Sequence, residues 1–180
     1  DLPRRRVLVS GSTGLIGTQV CAFLHAAGHE VVRLLRTSTS LPKHLEGQPV
    51  VRWDDRTGDV LEGSLEGFDA VIHLAGAGIG DRRWSKARME MIRSSRTGPT
   101  TLLAERLAAL KHPPGVLLSG SAVGIYGNRP DGTVDESAEL GEGFLDEVAQ
   151  AWESATHPAS NAGIRVVHLR TGLVMTASGG

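Results

Sequence analysis

Apolar residues in this chain form short runs that alternate with longer amphipathic segments. The short runs are rich in Val, Leu and Ile, as strands are when a sheet is covered on both faces. They predict strands at residues 6–10, 30–35, 50–53, 68–74, 115–119 and 164–169. The amphipathic segments predict helices at residues 15–27, 85–110 and 143–161. This alternation predicts an α/β fold with a doubly wound parallel sheet of the Rossmann type.

Glycine and proline mark the ends of several predicted elements. Gly28 follows the first helix and is expected to close it. Gly98 and Pro99 interrupt the long pattern at 85–110, so we expect a kink or a break in that helix.

A glycine-rich turn directly follows the first strand. Gly11, Gly14 and Gly17 are spaced G-x-x-G-x-x-G, which differs from the commonest dinucleotide fingerprint, G-x-G-x-x-G. Glycine allows a sharp bend and leaves the main-chain amides open to a ligand, while the following helix directs its positive end at the same place. The turn therefore predicts a dinucleotide diphosphate site. The alternative is a tight strand-to-helix connection with no ligand.

The end of the second strand suggests which dinucleotide binds. An acid at this position would accept hydrogen bonds from the adenosine ribose and favour NAD, but the strand ends in Leu34, Leu35 and Arg36. The planar guanidinium of Arg36 suits a 2′-phosphate, and Thr37 and Ser38 add hydroxyl donors. We therefore expect NADP(H). The alternative is that Arg36 is a solvated charge at a strand end.

Composition narrows the class of protein. The 180 residues suffice for one domain, and a net charge of −1 gives no reason to expect nucleic acid as a partner. The single Cys21 excludes an intramolecular disulfide and a CxxC metal site, and the histidines show no ligand spacing, so no metal is expected. No apolar run is long enough to span a membrane, and the cytoplasm is the expected compartment. The ends at Asp1 and Gly180 suggest a fragment of a longer chain.

Five motifs together resemble one protein family. They are GSTGLIG at 11–17, HLAG at 73–76, RRWSKARMEMIRSSR at 82–96, SGSAVGIYG at 119–127 and LRTGLVM at 169–175. In this order they resemble the extended short-chain dehydrogenase/reductases, and within them the atypical "epimerase family" subgroup of the NAD-dependent epimerase/dehydratase class. The resemblance implies that residues 1–180 are an NADP-binding Rossmann-like domain whose carboxy-terminal substrate domain is absent from this chain.

The resemblance also implies roles for particular residues. The diphosphate would be held by the turn, and the adenosine side would pass the end of the fourth predicted strand. The cofactor-binding set is then Gly11, Ser12, Thr13, Gly14, Leu15, Ile16, Gly17, Arg36, Leu74, Ala75 and Gly76. Ser121 matches the family's active-site serine. A small-molecule substrate of unknown identity and pairing into a homodimer are further expectations.

The chain departs from its wider superfamily at the catalytic pair. That superfamily uses Tyr-x-x-x-Lys on one helix, whereas here Phe144 and Val148 occupy the aligned positions, and the only tyrosine, Tyr126, has no lysine near it. Two hypotheses remain open. In one, Ser121 and Tyr126 orient a carbonyl or hydroxyl substrate of an oxidoreductase or epimerase-like enzyme, with Tyr126 as a hydrogen-bond donor. In the other, the chain is a non-catalytic NADP(H)-binding module that senses redox state or binds a partner.

Overall fold

One sheet of seven strands organises the chain, which is described here from a computed structural model covering residues 3–80, 82–130 and 132–176. The strands are β1 (Arg6–Ser10), β2 (Glu30–Arg36), β3 (Val50–Trp53), β4 (Val60–Glu62), β5 (Ala70–His73), β6 (Val116–Ala122) and β7 (Arg165–Thr171). The helices are α1 (Leu15–Ala26), α2 (Lys86–Ala108), α3 (Phe144–Ser154) and α4 (His157–Asn161). Short 3₁₀ turns lie at Lys43–Leu45 and Val123–Tyr126.

The strand order is β4-β3-β2-β1-β5-β6-β7, and every neighbouring pair except β3–β4 is parallel. From β1 the chain builds outward through β2 and β3, then crosses back to place β5 on the other side of β1. Such a reversal opens a crevice beyond the carboxyl ends of the two central strands, where ligands of this fold class bind. The doubly wound Rossmann-like prediction is confirmed.

Helices cover the two faces of the sheet unequally. Alternate residues of β1 point to opposite faces, so Leu8 joins a large core with α2 and α4, whereas Val7 and Val9 join a smaller core with Cys21 of α1. Coverage on both faces therefore holds at the centre of the sheet. On β7, by contrast, Val167 and Leu169 are only half-buried.

Several element boundaries differ from the sequence-based expectation. Of the predicted kink or break in α2, the break is wrong, because the helix runs through Pro99 while Ile92 and Leu103 on either side of it are fully buried. A kink at Pro99 stays a prediction. The segment at 143–161 forms α3 and α4 rather than one helix, since Pro158 in the first turn of α4 cannot donate a backbone hydrogen bond. The antiparallel strand β4 was not predicted; it is only three residues long.

Candidate functional site

A cleft of about 410 Å³ opens at the carboxyl ends of β1, β2, β3 and β5, at the point where the strand order reverses. Residues from α2 close its far side. The lining comprises Ser10, Gly11, Ser12, Thr13, Gly14, Leu34, Leu35, Arg36, Thr39, Trp53, Asp55, Leu74, Ala75, Gly76, Ala77, Met91, Ser95 and Pro99. Most of the predicted cofactor-binding residues therefore lie around one cavity.

The glycines of the turn are required by close backbone packing. Gly11 has a φ of +65°, and a Cβ there would lie 2.7 Å from the carbonyl carbon of Leu74. A Cβ on Gly17 would lie 2.1 Å from the carbonyl oxygen of Gly11. Gly17 itself is buried behind the turn, so it sets the approach of α1 to β1, and it is not part of the cleft wall.

The first turn of α1 has amides available for an anion. Gly14 is its N-cap, no side chain caps the helix, and no acidic residue lies in its first turn. The opening N–H groups of a helix have no partner within the helix, and its dipole is positive at this end. The amides of Leu15 and Ile16 belong to this turn, although their side chains do not line the cleft.

The Ser12 side chain, in the turn before α1, also suits a bound anion. This side chain is fully buried, and its Oγ has no hydrogen-bond partner among the described residues. A buried hydroxyl without a partner is costly unless a ligand supplies one. The main-chain oxygen of Ser12 is held from behind by the buried Arg33, whose Nη1 donates to it at 2.6 Å. Arg33 was not identified from the sequence, where it is one more polar residue in a strand.

Arg36 lies at the rim of the cleft with a partner that the sequence did not reveal. Its Nη1 is 3.7 Å from a carboxylate oxygen of Asp55, and the Arg36 side chain is 60% exposed. The parallel pairing of Arg36 with Trp53 brings the loop after β3 alongside the end of β2. A loose, exposed pair of this kind contributes little free energy, so Arg36 is able to turn to a phosphate. Thr39 lines the cleft, whereas Thr37 and Ser38 do not.

A fully buried histidine connects the cleft to the core. Thr100 Oγ1 donates to the carbonyl of Arg96 at 2.5 Å, so it accepts from Trp152 Nε1 at 3.1 Å and from His73 Nε2 at 2.9 Å. His73 Nδ1 is then the acceptor for the hydroxyl of Ser10 at 2.6 Å. Burial lowers the pKa of His73 from 6.5 to about 4, so the ring is neutral at physiological pH.

Ser121 and Tyr126, the predicted catalytic residues, belong to a polar cluster at the carboxyl ends of β6 and β7. The Ser121 hydroxyl donates to Glu153 Oε1 at 2.6 Å. Arg170 donates to both oxygens of Glu153, at 2.8 and 2.9 Å, and its Nη1 donates to Tyr126 Oη at 2.6 Å. Neither predicted residue is part of the cleft lining. Sequence reasoning missed Glu153 and Arg170, which meet only when α3 packs on the sheet.

Electrostatics keep this cluster charged. Burial opposes ionisation of Glu153, but hydrogen bonds from Arg170 and Ser121 outweigh it, and the pKa of the carboxyl lies below its ordinary value. The hydrogen bond to Glu153 raises the pKa of Arg170 above its ordinary value. Burial lowers the pKa of His168, whose Nδ1 is 3.5 Å from Glu153, against the raising effect of that carboxylate.

The start of α3 shows what stands in place of the Tyr-x-x-x-Lys pair. Phe144 is the first residue of α3 and packs edge-to-face with Trp84, their ring centroids 5.6 Å apart. Val148 is buried in the interior. Both positions therefore serve packing in this chain.

Within residues 3–80, 82–130 and 132–176, no group of His, Cys, Asp or Glu is arranged to hold a metal ion. In the same part of the chain, no helix has the length and apolarity needed to cross a bilayer.

Comparison with known proteins agrees with this geometry. The family model described as NAD dependent epimerase/dehydratase family matches residues 7–174. An epimerase family protein of Mycobacterium bovis is 40% identical over 176 residues, which are 97% of this chain and 55% of that protein. This chain therefore spans about half the length of the curated relatives it matches.

Solved structures show the same fold. A nucleoside-diphosphate sugar epimerase from Corynebacterium glutamicum is 38% identical with a TM-score of 0.81, covering 99% of this chain and 36% of that one. The human epimerase family protein SDR39U1, solved with NADPH, is 30% identical with a TM-score of 0.81, covering 97% of this chain and 56% of that one. A UDP-glucuronic acid 4-epimerase from Bacillus cereus, solved with NAD, is 22% identical with a TM-score of 0.69 and shows the fold alone. From the cleft, the strand order and these matches we conclude that the chain belongs to the NAD dependent epimerase/dehydratase family.

Proposed function

We propose that this chain is the NADP(H)-binding domain of an oxidoreductase or epimerase-like enzyme that acts on a carbonyl or hydroxyl group. The observation that carries the proposal is the buried Ser12 hydroxyl, which has no partner among the described residues, beside an N-terminus of α1 that none of their side chains caps. Both features suit a diphosphate, which would accept hydrogen bonds from the hydroxyl and from the main-chain amides.

Arg36 is the residue proposed to select the phosphorylated cofactor. It lines the cleft at the end of β2, and its ion pair with Asp55 is long and exposed. A guanidinium binds a 2′-phosphate through two parallel hydrogen bonds, which its loose contact with Asp55 does not prevent. The NADPH bound to the human relative supports the same choice.

The catalytic contribution of this chain is proposed to come from Ser121 and Tyr126. NADP(H), when bound, supplies or accepts a hydride. The Ser121 hydroxyl donates its hydrogen bond to Glu153, so its oxygen is left to accept a hydrogen bond from a substrate hydroxyl. The Tyr126 oxygen accepts from Arg170, so its own proton is left to be donated to a substrate oxygen.

The cofactor proposal is tested by titrating the intact protein with NADPH and NADH while following cofactor fluorescence. Arg36→Ala is expected to weaken NADPH binding by about tenfold to a hundredfold, the loss of about 1.5–3 kcal/mol from a charged hydrogen-bonded pair, and to leave NADH binding nearly unchanged. Arg36→Asp is expected to reverse the preference. The control is Arg165→Ala, an exposed arginine at the opposite end of the sheet. An equal loss for both cofactors in Arg36→Ala contradicts the assignment.

A second candidate function is a non-catalytic NADP(H)-binding module, and Phe144 and Val148 in place of Tyr and Lys favour it. The two functions are separated by mixing the intact protein with NADPH and a panel of aldehydes and ketones. Oxidation of NADPH above background that is lost in Tyr126→Phe supports the enzyme. Binding of NADPH without turnover across the panel supports the module.

A further inference from the structure

The polar cluster at the carboxyl ends of β6 and β7 is tightly hydrogen-bonded. Every nitrogen of the Arg170 guanidinium is engaged: Nε and Nη2 bind the two oxygens of Glu153, and Nη1 binds the phenol oxygen of Tyr126. The Glu153 carboxylate is only 12% exposed and the Arg170 side chain 21%. A planar, doubly bound guanidinium of this kind has a fixed orientation.

Hydrogen-bond chemistry then fixes the role of the phenol. A guanidinium has donors and no acceptor, so the Tyr126 oxygen accepts in its bond with Arg170. The phenol proton is not used in that bond, and no hydrogen bond recorded among the described residues has the phenol as donor. Tyr126 is buried to all but 7% of its surface, and it borders a cavity of about 830 Å³ lined by Val134, Asp135 and the length of β7.

We propose that Arg170 and Glu153 are positioning residues that hold Tyr126 as a hydrogen-bond donor directed into this cavity, where it would meet a carbonyl or hydroxyl oxygen of the substrate. This inference rests on the function proposed above. Arg170 thereby orients a phenol that lies outside the usual Tyr-x-x-x-Lys pair, whose positions Phe144 and Val148 occupy here. Glu153 fixes Arg170, and Ser121 in turn fixes Glu153.

The direct test observes the phenol itself. The tyrosine Fermi doublet in the ultraviolet resonance Raman spectrum distinguishes a phenol that accepts a strong hydrogen bond from one that does not. Subtracting the spectrum of Tyr126→Phe isolates the signal of this residue in the intact protein. The intact protein is expected to show an accepting phenol, and Arg170→Gln is expected to lose that signature. Arg170→Lys keeps the charge but lacks the planar fork, so its doublet is expected to lie between those of the intact protein and of Arg170→Gln.

Two further variants separate positioning from general damage. Glu153→Gln leaves Arg170 without its charged partner, so the accepting signature is expected to weaken. Arg165→Gln changes an exposed arginine on the same strand and is expected to leave the spectrum unchanged. Identical doublets in the intact protein and in Arg170→Gln overturn the proposal.

Turnover gives a second readout. With any carbonyl that the intact protein reduces, Arg170→Gln is expected to lower kcat by about tenfold to a hundredfold. A correctly positioned acid raises the rate by a factor of about 10²–10⁴, and a phenol that is no longer held in position loses part of that factor. In Arg170→Gln, the KM for NADPH is expected to stay the same as in the intact protein, since Arg170 is not part of the cofactor cleft. An unchanged kcat overturns the proposal. Failure of the intact protein to bind NADPH would refute the proposed function, whereas the Raman comparison decides the positioning role without any cofactor.

Discussion

His73 makes the stability of this fold depend on pH in a way that can be calculated. The ring is fully buried between Ser10 and Thr100, and burial lowers its pKa from 6.5 to about 4. As the pH falls, the unfolded chain therefore takes up a proton on this histidine at a higher pH than the folded chain does. At about 1.36 kcal/mol per pKa unit, the difference corresponds to about 3 kcal/mol of folding free energy. That contribution is complete above pH 6.5 and is lost as the pH falls towards 4.

The assay is urea unfolding of the intact protein and of His73→Gln at several pH values between 7.5 and 4.5. Glutamine keeps one donor and one acceptor at this place but does not titrate, so other acidic and histidine residues contribute equally to both proteins. The difference in unfolding free energy between the two is expected to shrink by about 2–3 kcal/mol from pH 7.5 to pH 4.5. In a histidine NMR titration, His73 is expected to stay in the neutral form with the proton on Nε2. A constant difference across the range, or a midpoint near 6.5, would refute the reasoning.

Two further predictions concern the glycine-rich turn. Gly17→Ala is expected to lower the melting temperature and abolish NADPH binding, because its Cβ would lie 2.1 Å from the Gly11 carbonyl oxygen. Gly98→Ala in α2, whose Cβ would meet only the adjoining Pro99, is expected to change the melting temperature far less. Two melting curves with shifts of the same size would count against this account of the turn. Ser12→Ala removes a buried hydroxyl that has no partner in the described residues, so the cofactor-free protein is expected to be as stable as before or more so. Its NADPH affinity is expected to fall about tenfold to a hundredfold, and calorimetry showing unchanged affinity would exclude a phosphate contact.

The parts of the fold that the sequence predicted are those set by local signals. Val7 to Val9 followed by Gly11, Gly14 and Gly17 predict a strand, a turn and a helix within one short segment, and the structure has them in that order. The alternation of strands and helices then predicts a parallel sheet, because a helix between two strands returns the chain to the same end of the sheet by a right-handed crossover.

The parts that the sequence missed depend on contacts between remote segments. Asp55 reaches the cleft only because β3 pairs in parallel with β2. The sequence around Arg36 contains no pattern that predicts this pairing. Glu153 and Arg170 lie on different elements, and their ion pair forms because α3 packs against β6, the strand that pairs with β7. At Pro99 the local sequence signal predicted a break that distant contacts prevent. The proline costs the helix about 3 kcal/mol, but the burial of α2 on both sides of it outweighs that cost.

Some expectations from the sequence stay predictions. They include the boundaries of the domain, the roles of individual site residues and pairing into a homodimer.

The central claim is that the turn after β1 holds the diphosphate of a nicotinamide cofactor through main-chain amides and the Ser12 hydroxyl. A crystal structure of the intact protein grown with NADPH tests it most directly. The account predicts the diphosphate at the N-terminus of α1, within hydrogen-bond distance of Ser12 Oγ, and the 2′-phosphate against Arg36. A diphosphate bound elsewhere, with Ser12 Oγ still unpartnered, would contradict it.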